Sequence, residues 1–287
     1  MTAPRRSPTA RHRRLVAELR GLREASAKSR QEVAELVGTT DITLWRYETG
    51  LTRPAPADVA ALLEVYGVAG EARGELLEMA RQARKRGWWH RHRQTLKPGF
   101  DSYIGLEAEA SVLRTYQSQV VPGLLQTEAY ARAVIEATAM GPARAEVAEK
   151  VAVRMSRQDL VTRVDDPIQI VMVLDEAVIR RQVGGPGVMR GQLLRLLEAG
   201  ALPNVDIRVL PFASGAHPAL DGQFNLLEFP EPGDLDLVYL EQAVSGLVLE
   251  EPQERRRYAS MFADLLTRAL SPGETMILIG SAARGEG

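Results

Sequence analysis

The 287-residue chain contains no cysteine, which excludes disulfide bridges and cysteine-ligated metal sites. It also lacks any apolar run of the roughly 18 residues that a membrane-spanning helix requires, so no membrane contact is expected. After residue 92 the only histidine is His217, which excludes a histidine-cluster metal site in the rest of the chain. Because the basic N-terminus has no apolar segment behind it, we do not expect it to act as a secretory signal. These absences predict a cytoplasmic protein without a metal or cofactor.

Acidic side chains are missing from residues 79–100, and the net charge of −1 hides a strong asymmetry along the chain. Residues 1–97 carry 19 basic and 11 acidic side chains, a net charge of +8. Residues 98–287 carry 17 basic and 26 acidic side chains, a net charge of −9. A basic first third supplies the field that nucleic-acid phosphates attract, whereas the acidic remainder repels them. The asymmetry predicts two parts with different tasks.

The segment 29–50 predicts two short helices joined by a tight turn. Ser29 and Glu32 have the spacing of a capping box at the start of the first helix. Gly38 follows the last apolar position of that helix, where a left-handed backbone ends helices, and Thr40 is placed to cap the second helix. This pattern is typical of a helix-turn-helix, whose second helix lies in the major groove of DNA.

Residues 12–66 resemble the helix-turn-helix domain of the Cro/cI repressor class, also called the xenobiotic-response-element class. The matching residues are Leu19, Arg23, Ser29, Val33, Ala34, Gly38, Thr40, Leu44, Arg46, Tyr47, Glu48 and Gly50. In this class the start of the second helix faces base edges and the start of the first faces phosphate. The candidate DNA-binding residues are therefore Ser29, Arg30, Thr40, Asp41, Ile42, Thr43, Arg46 and Arg53.

Two charged candidates each have two open interpretations. Arg46 has the geometry for a bidentate contact to guanine O6 and N7, but a phosphate contact explains it nearly as well. Asp41 is an acceptor for cytosine N4, or it simply stabilises the N-terminus of its helix electrostatically. Ile42 is placed to contact a thymine methyl group.

Glu48 requires a different explanation, because a carboxylate facing DNA is unfavourable. The resemblance implies that Arg23 occupies the position whose guanidinium pairs with this glutamate in the repressor class. A further helix is expected over residues 12–26, before the two motif helices. We therefore expect a structural Arg23–Glu48 ion pair that braces this helix against the second motif helix.

Beyond residue 100 the pattern changes from helical to mixed. Apolar, β-branched runs predict strands at 168–174, 205–212, 224–229, 235–241 and 246–250. Helices are expected at 101–119, 127–139, 142–164, 187–199 and 252–270, followed by only a short, weak segment. The fold class is α+β: an N-terminal five-helix helix-turn-helix domain, then a larger domain with helices packed on a mixed or antiparallel sheet. The expected organisation is a disordered basic arm (1–11), the DNA-binding domain (12–80), a basic linker (81–99) and a regulatory or dimerisation domain (100–287).

Several strings in the second domain occur in an order that resembles a known C-terminal domain. They are YIGLE (103–107), VPGLLQT (121–127), Arg154 with Arg157-Gln158, LDEA (174–177) and VLPF (209–212), followed by His217 and Phe224. They resemble the C-terminal domain, formerly of unknown function, of a large actinobacterial regulator family with a Cro/cI-type N-terminus. Members of that family are described as antitoxin-like regulators, often encoded beside a small partner protein.

The hypothesis from the sequence is a homodimeric transcriptional regulator that binds a palindromic double-stranded DNA operator. Its second domain would dimerise and bind a small effector or a small protein encoded by a neighbouring gene. The candidate effector or partner residues are Arg154, Arg157, His217 and Glu241. A pocket with convergent charged residues would favour a small ligand, whereas a broad exposed apolar patch would favour a protein.

Two alternatives remain. The first is an enzyme with a DNA-binding appendage, for which the available acids and bases are Asp175, Glu176, His217, Asp221 and Glu241. Capping explains Asp175 better than catalysis does, no nucleophile elbow or HExxH motif is present, and no catalytic residue is assigned. The second alternative is a protein-interaction module in which DNA binding is secondary.

Overall fold

A computed structural model describes residues 8–85, 87–139, 145–230 and 236–285 of the chain. These residues form two compact units, and the boundary between them along the chain lies between His90 and Arg91. Within the described ranges, no helix is both long and apolar enough to cross a bilayer. The fold class is α+β, as predicted, with a helical first unit and a second unit built on a mixed sheet.

The first unit contains five helices around one apolar core. They are α1 (Pro8–Ala25), α2 (Arg30–Leu36), α3 (Asp41–Glu48), α4 (Pro56–Val65) and α5 (Gly70–Ala83). Helix α1 begins earlier than expected, because residues 8–11 belong to its first turn and not to a disordered arm; residues 1–7 lie outside the described ranges. The core is formed by inward residues of all five helices: Leu15, Leu19, Val33, Leu44, Val59, Leu62, Leu63, Leu76 and Ala80.

The turn between α2 and α3 depends on a left-handed glycine. Gly38 has a φ of +70°, a conformation that a residue with a Cβ rarely adopts. It allows the Thr39 amide to donate a hydrogen bond of 2.8 Å to the Ala34 carbonyl, which closes the end of α2. Ala34 is almost fully buried, in agreement with two helices that cross closely.

The segment expected as a basic linker contains ordered structure of its own. Helix α5 extends to Ala83, and a 3₁₀ turn covers Trp88–His92. Trp89 is 5% exposed, and Gly87 is required beside it because a Cβ at that position would overlap the indole ring.

The second unit alternates helices with six strands. The helices are α6 (Phe100–Glu109), α7 (Glu128–Thr138), α8 (Val147–Ser156), α9 (Asp159–Thr162), α10 (Glu176–Arg180), α11 (Pro186–Gly200), α12 (Pro252–Arg268) and α13 (Pro272–Arg284). The strands are β1 (Val112–Gln117), β2 (Gln169–Asp175), β3 (Val205–Leu210), β4 (Phe224–Glu228), β5 (Leu237–Glu241) and β6 (Gly246–Leu249). Short 3₁₀ turns cover Gly123–Leu125 and Phe212–Ser214.

The sheet has the strand order β3-β2-β1-β4-β5-β6. Strands β1, β2 and β3 are parallel, as the helical crossovers between them require, whereas β4, β5 and β6 pair antiparallel. The boundary between the two halves is the β1–β4 pair. One sheet face packs on α12 through a core that includes Tyr116, Val173, Phe224, Phe262 and Leu265.

Three sequence-based predictions of secondary structure in this unit are wrong. The helix expected over 101–119 ends at Glu109, and Val112–Gln117 is the central strand β1, which is stabilised by pairing on both sides. The chain end is not a weak segment, because Ser271 and Glu274 form a capping box that starts the helix α13. The single helix expected over 142–164 divides into α8 and α9. The first residues of that prediction, 142–144, lie outside the described ranges, and so does residue 235, the first of the strand predicted at 235–241.

Leu270, which precedes α13, and Thr275 in the first turn of α13 close the outer edge of β3 with two hydrogen bonds. The Val209 carbonyl accepts from the Leu270 amide at 2.8 Å, and the Val209 amide donates to Thr275 Oγ1 at 3.0 Å. Thr275 is fully buried. Its hydroxyl therefore replaces the neighbouring strand that an edge position lacks.

We predict that Thr275→Val destabilises the second unit, because it keeps the side-chain shape but leaves the buried Val209 amide unpaired. The expected loss is about 1–3 kcal/mol. Urea unfolding followed by far-ultraviolet circular dichroism measures it. Thr267→Val is the matched control, because the Thr267 hydroxyl lies in an exposed position on α12. Equal midpoints for the two variants would contradict the role assigned to Thr275.

Candidate DNA-binding surface and a cleft in the second unit

The hydroxyls at the starts of α2 and α3 hold the helix-turn-helix in shape. Ser29 caps α2: its Oγ accepts from the Glu32 amide at 3.2 Å, and Glu32 accepts from the Ser29 amide at 2.7 Å. Thr40 caps α3, where its Oγ1 accepts from the Thr43 amide at 3.1 Å. The Thr40 and Thr43 hydroxyls lie 2.9 Å apart. These groups fix the N-termini of both helices, where backbone amides favour anions.

One face of α3 is exposed and unusually apolar. Ile42 is 67% exposed and Trp45 is 42% exposed, and Arg46 beside them is also exposed. Residues i, i+3 and i+4 of a helix share one face, so these three side chains form a single surface, called here the α3 face. Sequence reasoning did not include Trp45, although its spacing from Ile42 was the available signal. Leu44 and Glu48 lie on the opposite, buried face of the helix.

Arg30 and Asp41 form an ion pair that the sequence did not suggest. Arg30 Nε lies 3.3 Å from Asp41 Oδ1, which links the start of α2 to the start of α3. Both side chains are more than one-third exposed, so the pair adds at most about 1 kcal/mol to stability. It gives Asp41 a role besides the two considered from the sequence, and it positions a guanidinium at the beginning of α2.

Arg53 forms a contact with helix α5. Its Nη1 donates a hydrogen bond of 2.9 Å to the carbonyl of Ala83, the last residue of α5. The side chain therefore stabilises a helix C-terminus, where a cation is favourable.

The Arg23 guanidinium connects α1 to α3 through Glu48. Arg23 Nε donates to Glu48 Oε1 at 2.6 Å, and Nη2 donates to Oε2 at 3.1 Å. The two side chains are only 15% and 6% exposed. The hydrogen bonds that Arg23 donates to Glu48 raise the pKa of Arg23. Arg23 Nη1 also donates to the Lys28 carbonyl at 3.3 Å, which holds the chain entering α2.

The second unit contains a cleft of about 740 Å³, and β1 and β5 both end at it, with Gln117 and Glu241 in its lining. One wall is a buried ion pair: Arg157 Nε and Nη2 each donate to Glu107 at 2.7 Å. Arg157 also lies over the ring of Tyr103, at 5.5 Å from its centroid, and Tyr103 stacks on Tyr239 at 4.1 Å. Burial alone would lower the pKa of Arg157, but Glu107 outweighs it and raises the pKa.

Arg154 lines the same cleft in a different electrostatic setting. Its Nη1 donates to a neutral acceptor, Gln126 Oε1, at 2.9 Å. Burial, the largest cause, and the positive charge of Arg157 together lower its pKa to about 10, although Glu241 opposes the shift. The loop 121–126 is held by Gln158, which lies between α8 and α9 and whose Nε2 donates to the carbonyls of Gly123 and Gln126.

Two family models match the chain. Residues 14–76 match the model described as a helix-turn-helix domain. Residues 100–281, which are 182 of the 287, match the domain of unknown function DUF5753. The chain belongs to the DUF5753 family. Neither a curated protein nor a solved structure matches it.

Three of the strings noted in the sequence, YIGLE, VPGLLQT and the pair Arg154 and Arg157, contribute to the lining of the cleft, whereas LDEA and VLPF do not. YIGLE supplies Tyr103 and Glu107, and VPGLLQT supplies the loop with Gly123 and Gln126. A Cβ at Gly123 would lie 3.5 Å from Arg157 Nη1 and 3.6 Å from Arg154 Cγ, so the loop approaches both guanidinium side chains closely.

Of the four candidate effector residues, the DUF5753 domain brings three together. Arg154, Arg157 and Glu241 all line the cleft, and Glu241 accepts from Lys97 Nζ at 3.1 Å. His217 lies instead beside Tyr116, with 3.4 Å between its Nε2 and the tyrosine hydroxyl.

The acids and bases considered for an enzyme are largely engaged in structural contacts. Asp175 Oδ1 caps α10 by accepting from the Ala177 amide at 2.9 Å. Glu176 pairs with Arg180 at 3.1 Å and accepts from the Phe212 amide at 2.9 Å. In the part of the chain that the structure describes, no group of three or more potential ligands could hold a metal ion.

We predict that Glu48→Ala lowers the stability of the first unit by up to about 3–5 kcal/mol, because it removes the carboxylate that accepts two hydrogen bonds from the mostly buried Arg23 guanidinium. All three tryptophans lie at or before residue 89, so tryptophan fluorescence during urea unfolding reports on this unit alone. Glu78→Ala, which removes a carboxylate on α5 that is 54% exposed and pairs with Arg81, is the control and should change stability by less than about 1 kcal/mol. An unchanged midpoint for Glu48→Ala would show that the pair does not brace α1 against α3.

Proposed function

We propose that this DUF5753 protein is a sequence-specific transcriptional regulator of the Cro/cI type that binds double-stranded DNA through α3. The observation that carries the proposal is the α3 face, where Ile42, Trp45 and Arg46 project from the second helix of a helix-turn-helix domain. Large apolar side chains are seldom exposed side by side unless a partner covers them. A thymine methyl group suits Ile42, and a guanine edge suits Arg46.

The surroundings of the α3 face support contact with phosphates. Thr40 and Thr43 lie at the N-terminus of α3, and Ser29 and Arg30 lie at the start of α2. Arg46 has no ion-pair partner among the described residues, so its guanidinium is available. The net charge of +8 over residues 1–97 adds a long-range attraction to DNA. Arg53 is omitted from the proposed contacts, because it serves the end of α5.

The remaining parts of the proposal concern assembly and regulation. A single helix-turn-helix reads one half-site, so the protein acts as a homodimer on a palindromic operator, with the DUF5753 domain as dimeriser and regulatory input. The input is a small effector or a small partner protein, as for an antitoxin-like regulator, and the site of action is the cytoplasm. A cleft with convergent charges favours the effector over an interaction module. We propose no enzymatic activity, because Asp175 and Glu176 serve the fold.

We predict that Arg46→Ala weakens binding to the operator upstream of the protein's own gene by about 1–3 kcal/mol while affecting random DNA much less. Fluorescence anisotropy across a salt series measures both affinities. If Arg46 contacts phosphate instead, affinity falls equally on both DNAs and the salt slope decreases by about 0.9. Arg20→Ala, an exposed arginine on α1 that pairs with Glu24, is the control. Wild-type affinity of the Arg46 variant on both DNAs would rule out α3 as the reading helix.

The dimer has a geometric consequence that can be measured on the DNA. Half-sites should be centred about 34–36 Å apart, or roughly 10 base pairs, or a multiple of that distance. We predict that inserting about half a helical turn, roughly 5 base pairs, between the half-sites abolishes tight binding, whereas inserting a full turn of roughly 10 retains more of it. Sedimentation equilibrium should give a dimer. A monomer that binds the operator with full affinity would refute this part of the proposal.

A further inference from the structure

The charges that meet around the loop 121–126 do not cancel. Lys97 pairs with Glu241, and Arg157 pairs with Glu107, each at hydrogen-bond distance. Arg154 is the additional cation of this group, and its hydrogen-bonding partner is the neutral side chain of Gln126. A partly buried guanidinium without a carboxylate at hydrogen-bond distance has lost hydration that its neighbours do not fully replace.

The charge and the apolar lining of the rest of the cleft do not favour binding of a simple inorganic ion. Asp221, Glu254 and Arg257 also line it with a net charge of −1, so the cleft as a whole is neutral and only the region around Arg154 is positive. Apolar side chains occupy much of the lining near the loop, among them Val121, Leu124, Val134, Leu240 and Met261. An anionic group attached to an apolar body fits this combination better than a bare phosphate does.

The lining also contains a buried polar atom without a hydrogen-bonding partner among the described residues. The Gln223 Oε1 atom is buried and makes no hydrogen bond to any residue that the structure describes. Gln223 directly precedes β4, next to the end of β1. Strands β1 and β5 run in the same direction, because each pairs antiparallel with β4, and their carboxyl ends reach the cleft at Gln117 and Glu241.

We propose that this cleft is a binding site for a small organic carboxylate, with the Arg154 guanidinium receiving the carboxylate group. The apolar lining holds the carbon skeleton, and Gln223 accepts a hydrogen bond from a donor group on the ligand. This inference names the effector class for the regulator proposed above. Any effect of the ligand on transcription depends on the proposed regulatory function. Ligand binding itself does not depend on that function and is measured without DNA.

The competing explanation is that Arg154 serves only to brace the loop through Gln126. The two explanations differ in the stability of the unliganded protein. A brace predicts that Arg154→Met destabilises the second unit, whereas a ligand-binding arginine that is poorly compensated predicts little change or a gain. Far-ultraviolet circular dichroism in urea separates the two outcomes.

Binding is tested by isothermal titration calorimetry of the full chain with butyrate, hexanoate and 4-phenylbutyrate, each beside its primary amide. Phosphate and the corresponding amines complete the panel. We expect at least one carboxylate to bind, its amide to bind at least about tenfold more weakly, and Arg154→Met to lose at least about tenfold in affinity. Arg154→Lys should retain part of the affinity, because it keeps the charge but not the fork of donors.

Lys150→Met is the matched control, because Lys150 is on the same helix and pairs with Glu146 outside the cleft lining. It should bind the carboxylate as the wild type does. Equal affinity for carboxylate and amide, binding of phosphate alone, or no binding by any carboxylate in the panel would overturn the proposal. None of these results bears on DNA binding by α3, so the two proposals fail independently.

Discussion

Each unit depends on one carboxylate that is removed from water and must be matched by a guanidinium. In the second unit Glu107 is 1% exposed and receives two hydrogen bonds from Arg157. In the first unit Glu48 is 6% exposed and receives two from Arg23. The fork of donors on arginine satisfies both carboxylate oxygens at once, which fixes distance and orientation together. Such a pair adds little net stability over apolar residues, but it strongly disfavours arrangements in which the partners separate.

The two pairs have different consequences for their surroundings. Glu48 is inward-facing on α3, so its pairing with α1 determines which face of α3 remains outside. Glu107 places Arg157 over aromatic rings and leaves the next arginine on that side of the cleft with a neutral partner. In both units a buried ion pair therefore orients the surface that we propose for binding, the α3 face in the first unit and the cleft in the second.

The helix-turn-helix could be predicted closely because its signals are local. The Ser29–Glu32 capping box, the left-handed Gly38 and the Thr40 cap each act within a few residues, and the structure contains all three. The fold class and most strands of the second unit followed from apolar β-branched runs. Strand β1 did not, because VLRTYQ has no distinctive local signal and is stabilised by pairing with segments far along the chain. The ion pair of Arg30 with Asp41 and the hydrogen bond from Arg53 to the end of α5 could not be predicted either, because each joins residues that are distant in the sequence.

The central position of β1 also determines how the sheet can assemble. Its neighbours are β2, which begins at Gln169, and β4, which begins at Phe224, and the Thr115 hydroxyl bonds to Asn225 across 110 residues of chain. Closing loops of this length loses chain entropy before any contact compensates for it. The middle of the sheet is therefore formed from widely separated segments, which favours slow folding of this unit relative to the helical one, whose contacts are local. During biosynthesis the helix-turn-helix can therefore be complete before β4, the strand that pairs with the central strand β1, has been synthesised.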